Sequence, residues 1–433
     1  MWTGSMLLFI VRLALAYTLI YSLRNLITTA SAYLFDVGDL SRRTFAIMQM
    51  TSFFFIFLCK FVSGPLLRSV RGFNRLVAVF LCIQIGTCIC FSALGIIGIT
   101  RASGVLLACF FVFVYCAVKL SASFTRVTVL ELIYRSPDHD VQKFGIITTV
   151  LQVLACIGDA GGKYTLGVFL NMSILKEYSN HQNIPRWCIP LLIISSTGLI
   201  GIFSTATLFR RERNVKPINK RRIARVAQPR EILRQLASNP RFLICCGNSL
   251  ITSAISVAMG TYGSHFMRYK VGIPSENVPF YDSLSPVFIF FGIGLGGFLI
   301  NRFSYWRSRV LWFMLLPSLV ATGVLIYLTF GINLGFYAML TLYYVHQICF
   351  YAFQNSLDGA YLMCVVEAGL APSATGIVSG IGYVGGLIVP FTILKYSTSA
   401  DGWTIILQCV LGLEVLMILP MITLVALDMR RHH

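Results

Sequence analysis

Apolar positions along this chain gather into twelve long stretches separated by polar breaks. The first six cover Met6–Phe35, Phe45–Leu67, Leu76–Thr100, Ala102–Leu130, Phe144–Leu170 and Cys188–Phe209. The second six cover Phe242–Met267, Phe280–Ile300, Val310–Phe330, Leu334–Val366, Pro372–Leu394 and Trp403–Leu427. A helix needs about 20 apolar residues to cross a hydrocarbon layer about 30 Å thick, and every stretch reaches that length. The longest polar gap follows the sixth stretch. The pattern predicts an all-α membrane protein with twelve transmembrane helices in two six-helix halves: an N-terminal bundle over 1–209, a basic linker over 210–240 and a C-terminal bundle over 241–433. Such a layout suggests a duplicated transporter with its site near mid-membrane between the halves.

Charge fixes an expected orientation. The net charge of +19 raises the question of nucleic acid, but no basic domain stands outside the apolar stretches, so that partner is rejected. Instead the cations gather at alternate breaks: Arg68, Arg71 and Arg75; ten Lys and Arg residues from Arg210 to Arg234; Arg302, Arg307 and Arg309; Arg430 and Arg431. On the opposite side Asp36 and Asp39 offset Arg42 and Arg43. Positive-inside reasoning puts both termini and the linker in the cytoplasm, with the plasma membrane and an internal organelle membrane both open. The 13 cysteines lie mostly inside spans with no His at zinc spacing, so they read as packing residues and not as a metal site. No phosphate-cradling loop, zinc-protease motif or nucleophile elbow occurs, and no soluble segment could house an enzyme. The expectation is a non-enzyme without cofactor.

Ionisable groups inside spans are the candidate machinery, because each costs about 2.5–3.5 kcal/mol at mid-bilayer on insertion scales. Arg24 lies deep in span one. Lys119 and Arg126 in span four are seven residues apart and share a helix face, with Ser123 between them. Asp159 and Lys163 in span five stand at i and i+4, where they neutralise one another or respond to a proton or substrate. Gly158, Gly161 and Gly162 around them would let a neighbouring helix approach. Span ten carries a stripe of Gln347, Tyr351, Gln354 and Asp358, flanked by His346 and Asn355, suited to a polyol-like body. Span seven adds Asn248, Tyr262 and His265.

Several segments resemble the major facilitator superfamily, and within it the organophosphate:phosphate antiporters. Residues 16–25, Ala-Tyr-Thr-Leu-Ile-Tyr-Ser-Leu-Arg-Asn, are similar to that branch's Gly-Tyr-Ser-Leu-Tyr-Tyr-x-x-Arg. Cys59-Lys60-Phe61-Val62-Ser63-Gly64 is similar to its Ser-Lys-Phe-x-x-Gly, and Gly297-Phe298-Leu299-Ile300-Asn301-Arg302 echoes the superfamily loop motif. Asn239-Pro240-Arg241-Phe242 opens span seven as the branch does, and Pro372 to Gly376 with Gly385-Gly386 resembles its span eleven. The chain departs from the pattern at the loop acids, where Arg68 and Asn301 stand, and at the second phosphate-binding cation, whose place falls near Ser256.

The resemblance implies a central cavity lined by spans one, four, seven and ten, with Arg24 as a phosphate-binding arginine. Arg24, Lys119 and Arg126 would form an anion site and Gln347, Tyr351, Gln354, Asp358 and His265 would contact the rest of the substrate. Lys60, Asp159, Lys163 and Arg302 would serve gating or coupling. The expected function is a monomeric secondary transporter in the lipid bilayer, exchanging a small phosphorylated or other organic anion for phosphate, with Lys119 or Arg24 paired to Asp358 when empty. Two further readings stay open: a proton-coupled symporter of a neutral or zwitterionic solute, and a non-transporting sensor derived from a carrier.

Overall fold

A computed structural model describes residues 17–67, 104–134, 141–173, 185–197, 229–331, 335–367 and 370–430, with scattered positions at 15, within 79–89, and at 175, 177 and 199. The described residues are helical and contain no strand. Apolar side chains alone do not dictate that outcome. In hydrocarbon every backbone N–H and C=O must find an internal partner, and a helix supplies one within its own segment.

Helical residues 17–24 lead to a turn at Asn25 and then α1, Leu26–Val37. There follow α2, Arg42–Leu67; α3, Gly104–Tyr134; α4, Val141–Asn171; and α5, Cys188–Thr197. The second half of the chain holds α6, Pro229–Ala237; α7, Pro240–Ser256; α8, Val278–Asp282; α9, Leu284–Arg302; and α10, Arg307–Gly331. It closes with α11, Phe336–Asn355; α12, Ala371–Leu394; α13, Ala400–Leu416; and α14, Ile418–Met429. Six described helical segments are long and apolar enough to cross a membrane. Most of the stretch Leu76–Thr100, the loop cations Arg68, Arg71 and Arg75, and linker residues 210–228 lie outside the described residues.

The end of the linker is a built element. In α6, Ile232 and Leu236 are buried while Glu231 and Arg234 face out. Asn239 then caps α7: its Oδ1 accepts the Arg241 and Phe242 N–H groups at 3.0 and 3.3 Å, and Pro240 occupies the first turn, where a missing N–H costs nothing. Arg241 donates to Asp428 at 2.9 Å and Asp428 also accepts from Tyr361, tying α7 to α14.

Close helix approach follows the small residues. A Cβ on Gly158 would collide with the Thr18 carbonyl, and one on Gly162 with the Ser22 carbonyl, so α4 lies against the helical residues before α1. Gly161 faces open space and takes no part in this packing. Three stretches leave regular α geometry for wider π turns: 257–261 and 266–270 after α7, and 356–361 after α11. Such turns displace side chains by one position and gather at functional sites.

Candidate functional site

A cavity of about 350 Å³ lies between helices of the first and second halves of the chain. Its lining includes Arg24, Lys60, Lys119, Asp159 and Lys163 from the first half. From the second half it includes Asp282, Gln347, Tyr351, Gln354 and Asp358. The i, i+3, i+4 spacing on α11 puts Gln347, Tyr351 and Gln354 on one face, and the π turn at 356–361 carries Asp358 on to the same cavity.

Arg24 sits one residue before the turn at Asn25. Its guanidinium donates to the Tyr383 hydroxyl on α12 at 3.2 Å and lies 5.0 Å from the Tyr21 ring centre; its Nε has no protein partner among the described residues. Lys119 is 6% exposed, donates to Asn25 Oδ1 at 2.6 Å and sits 5.2 Å from the Tyr115 ring centre. Among the described residues no carboxylate pairs with either cation. The expected pairing of Lys119 or Arg24 with Asp358 is therefore not made in this conformation. Asp358 Oδ2 accepts from Ser249 at 3.4 Å instead. The Arg126 side chain lies outside the described residues.

A chain of polar contacts crosses the cavity wall. Asn25 Nδ2 donates to Asp159 Oδ1 at 2.9 Å. Asp159 Oδ2 lies 3.4 Å from Lys163 Nζ, the i, i+4 pair on α4. Lys163 also reaches Asp282 Oδ2 at 3.0 Å, on the other half of the chain. Thr29 and Ser285 complete Asp282 at 3.3 and 3.2 Å. Lys163 thus has two carboxylates where Lys119 has none.

The polar stripe on α11 divides by partner. Tyr351 and Ser256 share a 2.7 Å hydrogen bond between their hydroxyls. Gln347 is fully buried, and neither its Oε1 nor its Nε2 has a protein partner among the described residues. Lys60 lies 4.6 Å from the Tyr383 ring centre.

Three candidates sit elsewhere. His265 is buried outside the cavity lining, 2.9 Å from the Ser31 hydroxyl and packed between Phe35 and Phe45. Arg302 is exposed at the end of α9. His265 belongs to a set of contacts that join the first and second halves of the chain near the ends of their helices. There Arg268 meets Asp36 at 2.9 Å and Arg186 meets Glu276 at 3.4 Å, each joining first-half to second-half residues. His346 is also away from the cavity: it bonds Glu414 Oε1 at 3.1 Å, and Ser318 donates to the same oxygen at 2.6 Å.

Sequence reasoning did not single out Asn25, Asp282, Tyr383 or Glu414. Asn25 and Tyr383 carry no charge, and Asp282 lies at the edge of an apolar stretch. Glu414 was the one available signal, an acid deep inside the last span.

The Major Facilitator Superfamily family model matches residues 164–390. No curated protein sequence matches the chain. Among solved structures, a bacterial homologue of the human lysosomal transporter Spinster, inward-facing and unoccupied, superposes with a TM-score of 0.75 at 14% identity, covering 97% of each chain. A bacterial homologue of the iron transporter ferroportin, outward-facing, gives 0.67 at 15% identity over 96% of this chain and 98% of that one. A mutant of the nucleoside transporter NupG gives 0.66 at 14% identity over 96% and 99%. These likenesses establish the fold, whose cargo differs among them.

Proposed function

The chain belongs to the major facilitator superfamily, and from that premise we propose that it is a secondary active transporter for a small organic anion, working by alternating access. The preferred cargo is a phosphorylated metabolite exchanged for inorganic phosphate. One observation carries the anion: Arg24 and Lys119 face the cavity with no carboxylate partner among the described residues. Leaving a buried charge without its counter-charge costs several kcal/mol, and an anionic solute supplies the missing charge. The guanidinium binds phosphate oxygens through its planar fork, and the ammonium has donors beyond the one used on Asn25. Lys163, already held by two carboxylates, is left to close the structure.

The α11 stripe would bind the organic body. Gln347 offers a donor and an acceptor together, and Gln354 and Asp358 continue the polar wall. The halves 1–209 and 241–433 would rock about this site. By the positive-inside argument the end closed by Arg268–Asp36 and Arg186–Glu276 is the outer one. No enzymatic step enters this reading.

Thermal unfolding of the purified protein tests the anion claim. A ligand that binds only the folded state stabilises it by about 2.7 kcal/mol at a hundredfold excess over Kd. Inorganic phosphate and glucose 6-phosphate are expected to raise the midpoint, glucose at the same concentration to leave it, and Arg24→Gln to remove the rise. Stabilisation by glucose alone would move the reading to a carrier of neutral solutes.

A further inference from the structure

Lys119 and Asp159 have opposite charges, sit on successive helices α3 and α4, and line one cavity, yet they do not pair. The Asn25 side chain stands between them. Its Oδ1 takes the Lys119 ammonium at 2.6 Å and its Nδ2 donates to Asp159 Oδ1 at 2.9 Å. We propose that Asn25 is a positioning residue, an amide spacer that holds Lys119 off Asp159 and so keeps the lysine charge available to an anion in the cavity. The inference rests on the anion reading of this site.

The chemistry needs an amide. A primary amide presents an acceptor and a donor within one small planar group, so it satisfies a cation on one side and an anion on the other while adding no charge. A carboxylate there would neutralise Lys119 and repel Asp159. An aliphatic side chain would satisfy neither, and the two flexible charged side chains would close on each other. The backbone sets the amide between the two charges, because the helix breaks at Asn25, with φ −109° and ψ 0°, directly after Arg24. The spacer also protects a second pairing. Asp159, held by Asn25 on one oxygen, keeps the other for Lys163, which reaches Asp282 on the opposite half. One neutral side chain thus divides the polar chain into a lysine for the substrate and a lysine for closure.

An isosteric exchange separates this role from a merely structural one. In Asn25→Asp with Asp159→Asn, size and net charge are conserved and hydrogen bonds remain available at both positions; only the negative charge moves next to Lys119. Phosphate binding to the full-length protein is measured by titration of thermal stabilisation, with Asp159→Asn alone as reference. Loss of one charge-assisted contact is expected to weaken phosphate binding about tenfold or more in the exchange variant relative to that reference. Asn25→Ala is expected to lose binding similarly, and adding Asp159→Asn to it to recover most of the loss, because the captor of Lys119 is gone. If the exchange variant binds phosphate as tightly as the reference, or if Asp159→Asn fails to rescue Asn25→Ala, the spacer is wrong while the anion site stands. If the unsubstituted protein binds neither phosphate nor glucose 6-phosphate, the anion reading fails and the spacer with it.

Discussion

Asp282→Asn removes the charge through which Lys163 reaches from the first half of the chain to the second. The native carboxylate accepts from Lys163 at 3.0 Å and Thr29 at 3.3 Å through Oδ2, and from Ser285 at 3.2 Å through Oδ1. Asparagine keeps the shape and one acceptor for the hydroxyls. Lys163 keeps Asp159 at 3.4 Å, so no lysine is stranded. What is lost is one buried charge-assisted contact across the closed end, about 1.5–3 kcal/mol. If that contact is absent once the end opens, the opening equilibrium shifts by about 10–150-fold. The other bridges there do not replace it. The side chains of Arg268–Asp36 are 33% and 29% exposed and those of Arg186–Glu276 are 23% and 34%, where solvent screens the attraction. Hydrogen exchange followed by mass spectrometry on protein in nanodiscs reads the outcome. Peptides covering 34–42 and 271–278 are expected to exchange faster in Asp282→Asn, with peptides in α10 unchanged. Identical exchange at the closed end would refute the idea that Lys163–Asp282 holds it shut.

Substitutions at two further positions test separate parts of the structure. Arg24→Lys keeps the charge but loses the planar fork and the bond to Tyr383, so affinity for glucose 6-phosphate is expected to fall about tenfold or more while the protein still inserts and folds, measured by titrated thermal stabilisation. Glu414→Ala strands Ser318 and His346 as buried donors away from the cavity, so it should lower unfolding stability by about 1–3 kcal/mol or more and leave phosphate affinity alone; Glu414→Gln, which keeps the acceptor, should lose less in the same melt.

The apolar pattern located the long described helices, though not α6 in the linker, because hydrocarbon leaves the backbone few choices. Pro372–Leu394 became α12, Ala371–Leu394, and Phe280–Ile300 became α8 and α9 ending at Arg302. Contacts within one helix were equally legible: i, i+4 spacing alone pairs Asp159 with Lys163. Contacts between distant helices were not. Spacing on α3 cannot reveal that Lys119 ends on Asn25, nor can the helical residues before α1 reveal that Arg24 ends on Tyr383. Asp358 was the expected partner because charge is visible in a sequence, whereas an amide or a phenol that reaches the same cation leaves no comparable mark. Gly161 shows the same limit on a smaller scale. It shares a sequence neighbourhood with Gly158 and Gly162, but the helix turns it away from the contact.

Counterflow in proteoliposomes reads anion exchange through the cavity itself. Vesicles holding the purified protein are loaded with unlabelled glucose 6-phosphate, phosphate or glucose, and uptake of labelled phosphate is followed over time. Transient accumulation is expected with either phosphate compound inside, none with glucose, and loss of accumulation when Arg24→Gln and Lys119→Gln are combined. Accumulation of labelled glucose when it replaces labelled phosphate outside glucose-loaded vesicles, or phosphate counterflow untouched by the double substitution, would contradict the anion reading.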